Sequence, residues 1–347
     1  MRVHNYIACE GILGIQTNAK RIGWSFGYPH EPVSENEISK CRLVVRFIVD
    51  SLKGEAAKLG DLERYHYWLG QPGRDEMFYQ RAFLGRSKLR LLVRGLRSER
   101  PEIRVNENYL RFIRFRFNNL HSPGYNLTDL VCALLLQRGL CVLHCSGFSV
   151  GDATVAVMAA PNTGKTLTTM QAVSHYKGSF ISEDIGITDG QRLFACPWTS
   201  TFRYYDELNM SRLTAMRMKL MKVLPVVELI PSPGRRELID AYIDGSRIDR
   251  SNRVTHVVTL ARRRGGVELI DDKRALQIVL NLNRYEFYYR KSPMLTAYSY
   301  FNPELDLDAL AEKEKAILTG LISQSRCLLV QSKNPADYAK LIMDEIR

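Results

Sequence analysis

Hydrophobic and polar residues follow two different periods along the chain, and the first part favours strands. The segment Cys41–Val49 is almost entirely β-branched and apolar. In Tyr109–Phe117, large apolar residues alternate with arginines from Ile113 onward. A β-branched run and a period of two are both typical of strands. The sequence therefore predicts a strand in each segment.

A helical period follows in residues 126–138, where apolar residues recur at steps of three and four. These residues are Leu127, Leu130, Val131, Leu134 and Leu135. Asn126 is a suitable N-cap, and Gly139 is a suitable C-terminal stop. We therefore predict a helix over Asn126–Arg138.

From residue 140 onward, short apolar segments surround one helical segment. Cys141–Cys145 and Ala153–Met158 predict two strands that form a hairpin around the turn Gly151–Asp152. A helix over Thr166–His175 and a strand over Ser179–Ile181 come next. The order is strand, loop, helix, strand, which is typical of an α/β fold.

The remaining chain continues the α/β pattern. We predict helices at Met210–Val223, Asp306–Leu321 and Pro335–Ile346, and strands at Val254–Leu260, Val267–Ile270 and Arg326–Val330. We expect a strand-rich N-terminal region over residues 1–125, with a role in recognising a substrate or partner. A second domain is expected over residues 126–347.

Composition narrows the class of protein. The chain has 347 residues, of which 45% are hydrophobic and 25% charged, so it is long enough for two domains and is not of the disordered type. No run reaches the ~20 apolar residues of a membrane span, since Gln137 and Arg138 break the longest one. Glu10 interrupts the only apolar stretch near the N-terminus, so we do not expect a signal peptide there. We therefore expect a cytoplasmic protein.

The cysteines give no sign of a metal site. There are seven, with no CxxC pair, and the four-residue step from Cys141 to Cys145 lacks further ligands at a matching spacing. Buried thiols in a reducing compartment are the expected state.

The net charge is +12, and the excess is uneven. Between Met77 and Arg116 there are eleven basic and three acidic residues. Three interpretations stay open: a solvated sheet face, a surface for an acidic substrate or partner, and a nucleic-acid surface. The last is least favoured, because no nucleic-acid recognition signature accompanies the charge.

A candidate phosphate-binding loop is the sharpest chemical signal. The usual pattern is G-x-x-x-x-G-K-[ST]; here Gly164-Lys165-Thr166 is intact and Ala159 replaces the first glycine. Backbone N–H groups and the helix N-terminus would hold phosphates, Lys165 would reach the β- and γ-phosphates, and Thr166 would bind Mg²⁺. The expected nucleotide contacts are Ala160, Pro161, Asn162, Thr163, Gly164, Lys165, Thr166 and Leu167.

Two acids and a histidine are the other candidates. Glu183 and Asp184 follow the strand after the loop's helix, so they should lie at the same sheet edge as Lys165. One acid would bind Mg²⁺ and the other would accept a proton from a hydroxyl, with the assignment open. His144, before the hairpin, is either a buried core residue or a neighbour that supports the phosphates or acids.

Together these motifs resemble the kinase domain of the HPr kinase/phosphorylase family, which is similar to the nucleotide-binding part of phosphoenolpyruvate carboxykinase. His144, Gly164, Lys165, Thr166 and Asp184 match the family pattern. The chain differs at Ala159 and Asn162, where the family has glycines, and at Glu183, where it has aspartate. The resemblance implies a mixed, twisted sheet. It also makes a homo-oligomer plausible.

The predicted function is a Mg-ATP-dependent kinase that phosphorylates a serine-like hydroxyl of a peptide, protein or small molecule. Catalysis is assigned to Glu183, Asp184, His144 and Lys165, and metal binding to Thr166, Asp184 and Glu183. An arginine should neutralise the transferred group, and Arg203, Arg235, Arg236 and Arg262 are the candidates. The alternative, motivated by the altered positions, is a non-catalytic nucleotide-binding regulatory or scaffold protein.

Overall fold

The chain is a mixed α/β protein in the computed structural model, as the hydrophobic pattern predicts. The structure describes residues 2–20, 22, 24–26, 31–58, 65–68, 74–83, 87–116, 125–199, 232–233 and 237–346. The predicted helix Met210–Val223 lies outside these residues.

The strands pair in both directions. In chain order they are β1 (His4–Cys9), β2 (Leu13–Thr17), β3 (Leu43–Val49), β4 (Tyr65–Trp68), β5 (Glu76–Ala82), β6 (Lys88–Arg94), β7 (Glu102–Val105), β8 (Phe115–Arg116), β9 (Cys141–Leu143), β10 (Cys145–Val150), β11 (Ala153–Met158), β12 (Ser179–Ser182), β13 (Gly186–Thr188), β14 (Arg192–Phe194), β15 (Trp198–Thr199), β16 (Ser232–Pro233), β17 (Glu237–Leu238), β18 (Ser251–Arg253), β19 (His256–Ala261), β20 (Val267–Leu269) and β21 (Arg326–Gln331).

The longest helices lie between residue 125 and the C-terminal end of the described chain. In the described residues they are α1 (Glu35–Ile38), α2 (Lys53–Ala57), α3 (Glu107–Arg114), α4 (Tyr125–Gln137), α5 (Lys165–His175), α6 (Asp272–Glu286), α7 (Pro293–Phe301), α8 (Leu307–Ser323) and α9 (Tyr338–Ile346). Within that part of the chain, no helix combines the length and the apolar content that crossing a membrane requires.

The chain is divided into two compact units. Unit 1 comprises Met1–Leu134, Leu220–Gly234 and Tyr288–Leu310, and unit 2 comprises Leu135–Lys219, Arg235–Phe287 and Ala311–Arg347. A functional division near residue 126 stays a prediction.

Unit 1 contains a seven-stranded sheet in the order β1-β2-β3-β7-β6-β5-β4. The pairs β2–β3 and β3–β7 are parallel and the others are antiparallel, so the sheet is mixed. The predicted strand Cys41–Val49 is confirmed as β3. Its side chains alternate between buried and more exposed positions, which is the period of a half-buried strand.

The predicted strand Tyr109–Phe117 is wrong, because most of it is helix α3 and only β8 is extended. The side chain of Asn106 accepts a hydrogen bond from the backbone N–H of Tyr109 at 3.1 Å, which caps the helix. Leu110 and Ile113 are buried with Tyr109 at helical spacing. The alternation with arginines starts only at Ile113, where the helix is about to end.

The predicted helix Asn126–Arg138 is confirmed as α4, which begins one residue earlier. Gly139 ends it with φ at +72°, a left-handed conformation that glycine adopts without strain. The N–H of Leu140 then reaches back to the Leu135 carbonyl at 3.0 Å. This bond satisfies a carbonyl of the last turn.

Unit 2 is built on a six-stranded mixed sheet in the order β12-β10-β11-β19-β21-β20. The predicted turn at Gly151–Asp152 and the strand Ala153–Met158 are confirmed, but the other strand of the hairpin is β10 rather than Cys141–Cys145, with Val150 opposite Ala153. Helices α5 and α9 pack on one face of this sheet. The core between them includes Phe148, Val155, Val157, Ala172, Val258 and Ile342.

The predicted strand Cys141–Cys145 is two strands in different sheets. β9 pairs with β13 in a four-stranded sheet ordered β18-β14-β13-β9, whereas β10 belongs to the six-stranded sheet. His144 is the single residue between them. All seven cysteines are buried, as expected.

Strand direction determines where the candidate site lies. Both β11 and β12 run antiparallel to β10, so both end at the edge where β10 begins. Met158 lies opposite Cys145, and Ser182 lies opposite Gly147. The residues that follow β11 and β12, and His144 before β10, therefore meet at one edge.

Candidate functional site

The loop between β11 and α5 leads into a helix whose N-cap residue has no side chain. Gly164 is that residue, and it makes no side-chain hydrogen bond to the first turn. The first N–H groups of a helix have no partner within it, and they favour an anion. Ala160, Pro161 and Asn162 are exposed, so the top of this loop is accessible.

Gly164 is required by the backbone and by its neighbours. Its φ is +130°, which residues with a side chain rarely adopt. A Cβ at this position would lie 3.0 Å from the Pro335 Cβ and 3.3 Å from the Tyr338 ring. The loop therefore depends on a glycine at residue 164, the second glycine of the G-x-x-x-x-G-K-[ST] pattern.

The two positions where the resemblance expects further glycines differ from each other. Asn162 has φ at +60°, a left-handed conformation that asparagine tolerates better than most residues. Ala159 does not have a positive φ, and its methyl group is buried in the core. Neither substitution therefore conflicts with the observed backbone.

Lys165 is buried against His144. Its Nζ lies 2.7 Å from His144 Nε2 and donates to the Ala159 carbonyl at 3.0 Å. Burial lowers the pKa of Lys165, and the negative charges of Asp184 and Glu286 oppose that shift. When the lysine is an ammonium, Nε2 of a neutral His144 is the acceptor and Nδ1 carries the proton.

The two adjacent acids have different partners. Thr166 Oγ1 donates to Glu183 Oε1 at 2.7 Å, and Glu183 is 1% exposed. Asp184 instead places Oδ1 3.6 Å from His144 Nδ1, and its side chain is 30% exposed. Asp184 has φ at +69°, a left-handed conformation that aspartate adopts more readily than most residues.

Helix α6 brings two further residues to this site, and sequence reasoning missed both. Glu286 Oε2 lies 3.8 Å from His144 Nδ1. Asn283 accepts from the backbone N–H of His144 at 3.1 Å and donates to Glu314 Oε1 at 2.7 Å. A helical pattern in the sequence could have indicated α6. Asp271 is its N-cap, and the buried Val279 lies four residues before Asn283, which places both on one face of the helix.

The excess of negative charge around Lys165 favours the binding of a cation. The carboxylates of Glu183, Asp184 and Glu286 all act to raise the pKa of this one buried lysine. In the part of the chain that the structure describes, no group of three or more His, Cys, Asp or Glu residues is arranged to hold a metal alone. Mg²⁺ commonly takes only one or two protein carboxylates beside substrate phosphates. The Thr166 and Glu183 oxygens fit such a shared site.

One of the four candidate arginines is placed beside the loop. Arg262 follows β19, which runs parallel to β11, so it lies at the same sheet edge. Burial raises the pKa of Tyr338, and the charge of Arg262 acts against that shift. The Tyr338 ring is the one that approaches Gly164. Arg203, Arg235 and Arg236 lie outside the described residues.

Three of the eleven basic residues in the stretch 77–116 pair with acids from other segments of unit 1. Arg94 pairs with Glu76 and Glu55, and Arg104 pairs with Asp50. Arg97 lies near Asp75 and Glu304, and Arg90 donates to the Gln80 side chain. These contacts neutralise part of the charge, and the three interpretations of the stretch stay open.

Comparison with known proteins gives no match, either to a family model or to a curated protein. The resemblance therefore stays an interpretation of the residues quoted above. The geometry around His144, Lys165 and Glu183 carries the functional argument.

Proposed function

We propose that the chain is a Mg-ATP-dependent kinase that transfers the γ-phosphate of ATP to a serine-like hydroxyl of a peptide, protein or small molecule. One observation carries the proposal: two consecutive residues in the first turn of α5 each contact another candidate site residue. Lys165 contacts His144, and Thr166 contacts Glu183. The proposal includes the fold, because a mixed sheet with this loop is what the HPr kinase-like resemblance implies.

Phosphate binding is assigned to the loop and the first turn of α5. The backbone N–H groups of residues 160, 162 and 164–166 supply donors, and the helix N-terminus adds a partial positive charge. Pro161 has no N–H, and the N–H of Thr163 is given to the Ala160 carbonyl. Lys165 supplies a full charge from a buried position, where it is weakly screened. Its contacts with His144 and Ala159 hold it within the loop.

Metal binding is assigned to Thr166 and Glu183. Their oxygens are already hydrogen-bonded to each other, so both would face the same ion. Mg²⁺ would neutralise charge on the phosphates during transfer.

Asp184 is the proposed base. Glu183 is buried against Thr166, whereas Asp184 is partly exposed and within reach of an incoming hydroxyl. In the transfer, the acceptor oxygen bonds to the γ-phosphorus, the bond from that phosphorus to the bridging oxygen of ADP breaks, and Asp184 takes the hydroxyl proton. Arg262 is the proposed neutralising arginine.

The test is incubation with Mg²⁺, γ-labelled ATP and a cell extract or peptides encoded by neighbouring genes. Mass spectrometry would then detect an added phosphate. We expect a labelled acceptor with the wild type and turnover about 10²–10⁴-fold lower with Asp184→Asn, because asparagine tolerates the left-handed backbone but cannot accept the proton. Tight ATP binding with no labelled acceptor would instead support the regulatory or scaffold alternative.

A further inference from the structure

We propose that helix α6 is the positioning element of this site: Asn283 fixes the main chain of His144, and Glu286 fixes its imidazole. Both contacts come from one helix and reach opposite ends of the same residue. The catalytic consequence rests on the proposed kinase function, whereas the positioning itself does not.

The main chain of His144 needs such support because it lies between two sheets. The described strand pairing of β9 stops at Leu143, and that of β10 starts at Cys145. The N–H of His144 is given instead to the Asn283 side chain at 3.1 Å. His144 is 5% exposed and Asn283 is 4% exposed, so water does not readily replace this bond.

The amide of Asn283 is itself oriented. Its Nδ2 donates to Glu314 Oε1 at 2.7 Å, and Glu314 is 2% exposed. A carboxylate accepts and a backbone N–H donates, so only one orientation of the amide satisfies both neighbours. This gives the contact with His144 a fixed direction.

Charged side chains face the imidazole at both nitrogens. Nε2 lies 2.7 Å from the Lys165 Nζ, while Nδ1 faces Asp184 at 3.6 Å and Glu286 at 3.8 Å. The two carboxylate distances exceed hydrogen-bond length, so the attraction there is electrostatic. During transfer Asp184 is occupied by the acceptor proton. Glu286 then remains to hold the Nδ1–H side of the ring, and Nε2 stays directed at Lys165.

The decisive experiment is ¹⁵N NMR of the imidazole in histidine-labelled protein without nucleotide, with the His144 signal assigned from its loss in His144→Gln. We expect the Nδ1–H tautomer in the wild type. Glu286→Gln and Asn283→Ala should each change the tautomer ratio or broaden the signal. Asn281→Ala, at an exposed position of the same helix, and Glu312→Gln, at an exposed position of α8, are the matched controls.

Catalysis gives a second readout. We expect kcat to fall up to about 10²-fold in Glu286→Gln with little change in the KM for ATP, since a displaced group costs rate more than binding. Glu286→Asp should recover part of that loss. If Asn283→Ala does not fold, Glu286→Gln decides alone.

His144 signals identical to the wild type in the folded variants would overturn the proposal, whatever the activity. An inactive wild type with the expected NMR changes would reject the kinase function and leave the positioning role intact.

Discussion

The Thr166 hydroxyl donates a hydrogen bond to Glu183 at 2.7 Å, although Thr166 lies in the first turn of α5 and Glu183 follows strand β12. Asp184, next in sequence, turns instead toward His144. Two adjacent acids are thereby given separate partners. The open assignment of metal ligand and base is resolved in our proposal by this divergence.

Thr166 and Glu183 should act as one unit. We expect Thr166→Val and Glu183→Gln each to lower turnover by at least about 10-fold and to raise the Mg²⁺ concentration for half-maximal rate. The double variant should lose little more than the worse single variant, because both remove the same site. A magnesium titration of initial rates measures this. Thr319→Val, at an exposed position of α8, is the control, and fully additive losses would contradict the shared role.

Lys165→Ala should lower turnover by about 10³-fold or more and leave the fold intact. The lysine charge acts on phosphate during transfer, whereas its burial gives the folded state no advantage from the ammonium. Turnover with the identified acceptor and a thermal melt are the measurements. Lys313→Ala, at an exposed position, should behave as the wild type. Normal phosphorylation by Lys165→Ala would remove the assignment of the loop.

Gly164→Ala should destabilise the protein and weaken nucleotide binding together. The positive φ costs about 1–3 kcal/mol for a residue with a side chain, and the new Cβ would press on Pro335 and Tyr338. Urea denaturation and equilibrium ATP binding measure the two effects. Gly245→Ala meets nothing within 4 Å and should change the free energy of unfolding by less than about 0.5 kcal/mol. Equal stability of the two variants would contradict the strained turn.

The buried Cys145 thiol should make stability fall at alkaline pH. Burial raises its pKa from 9.0 to about 12. Below pH 9 the folded and unfolded states both keep the proton, so this stabilisation is fully present. Above pH 9 the unfolded thiol ionises first, and about 2 kcal/mol should be lost by pH 10.5.

Cys145→Ala measures that contribution, because alanine does not ionise. Its free energy of unfolding, compared with that of the wild type at pH 7.5 and pH 10.5, should fall less over this interval. A parallel decline in both proteins would show that Cys145 titrates normally.

Local signals made the loop, the turn of the hairpin, strand β11 and helix α5 predictable from sequence. Gly164-Lys165-Thr166 connects an apolar strand to a helix. The end of the strand and the start of the helix are each determined by residues close together in the chain. The segment after Tyr109 failed because a short alternation outweighed the Asn106 cap and the helical spacing of Leu110 and Ile113. An alternation over five residues is weaker evidence for a strand than a capped first turn is for a helix.

The contribution of α6 could not be predicted in the same way. Asn283 contacts His144 from 139 positions away, and no sequence period specifies that distance. The pattern could have predicted the helix, from Asp271 and the buried face, but not its neighbours. The sequence signal of such a contact is a polar residue on an apolar helix face, such as Asn283 four residues after Val279.

Asn162 has a consequence beyond this chain. Its left-handed backbone occupies a place where glycine is expected, so this turn constrains the sign of a torsion angle more than the identity of a residue. A motif search that insists on every glycine would overlook chains of this kind. One that keeps Gly164, admits asparagine at 162 and requires paired acids after the following strand would retrieve them.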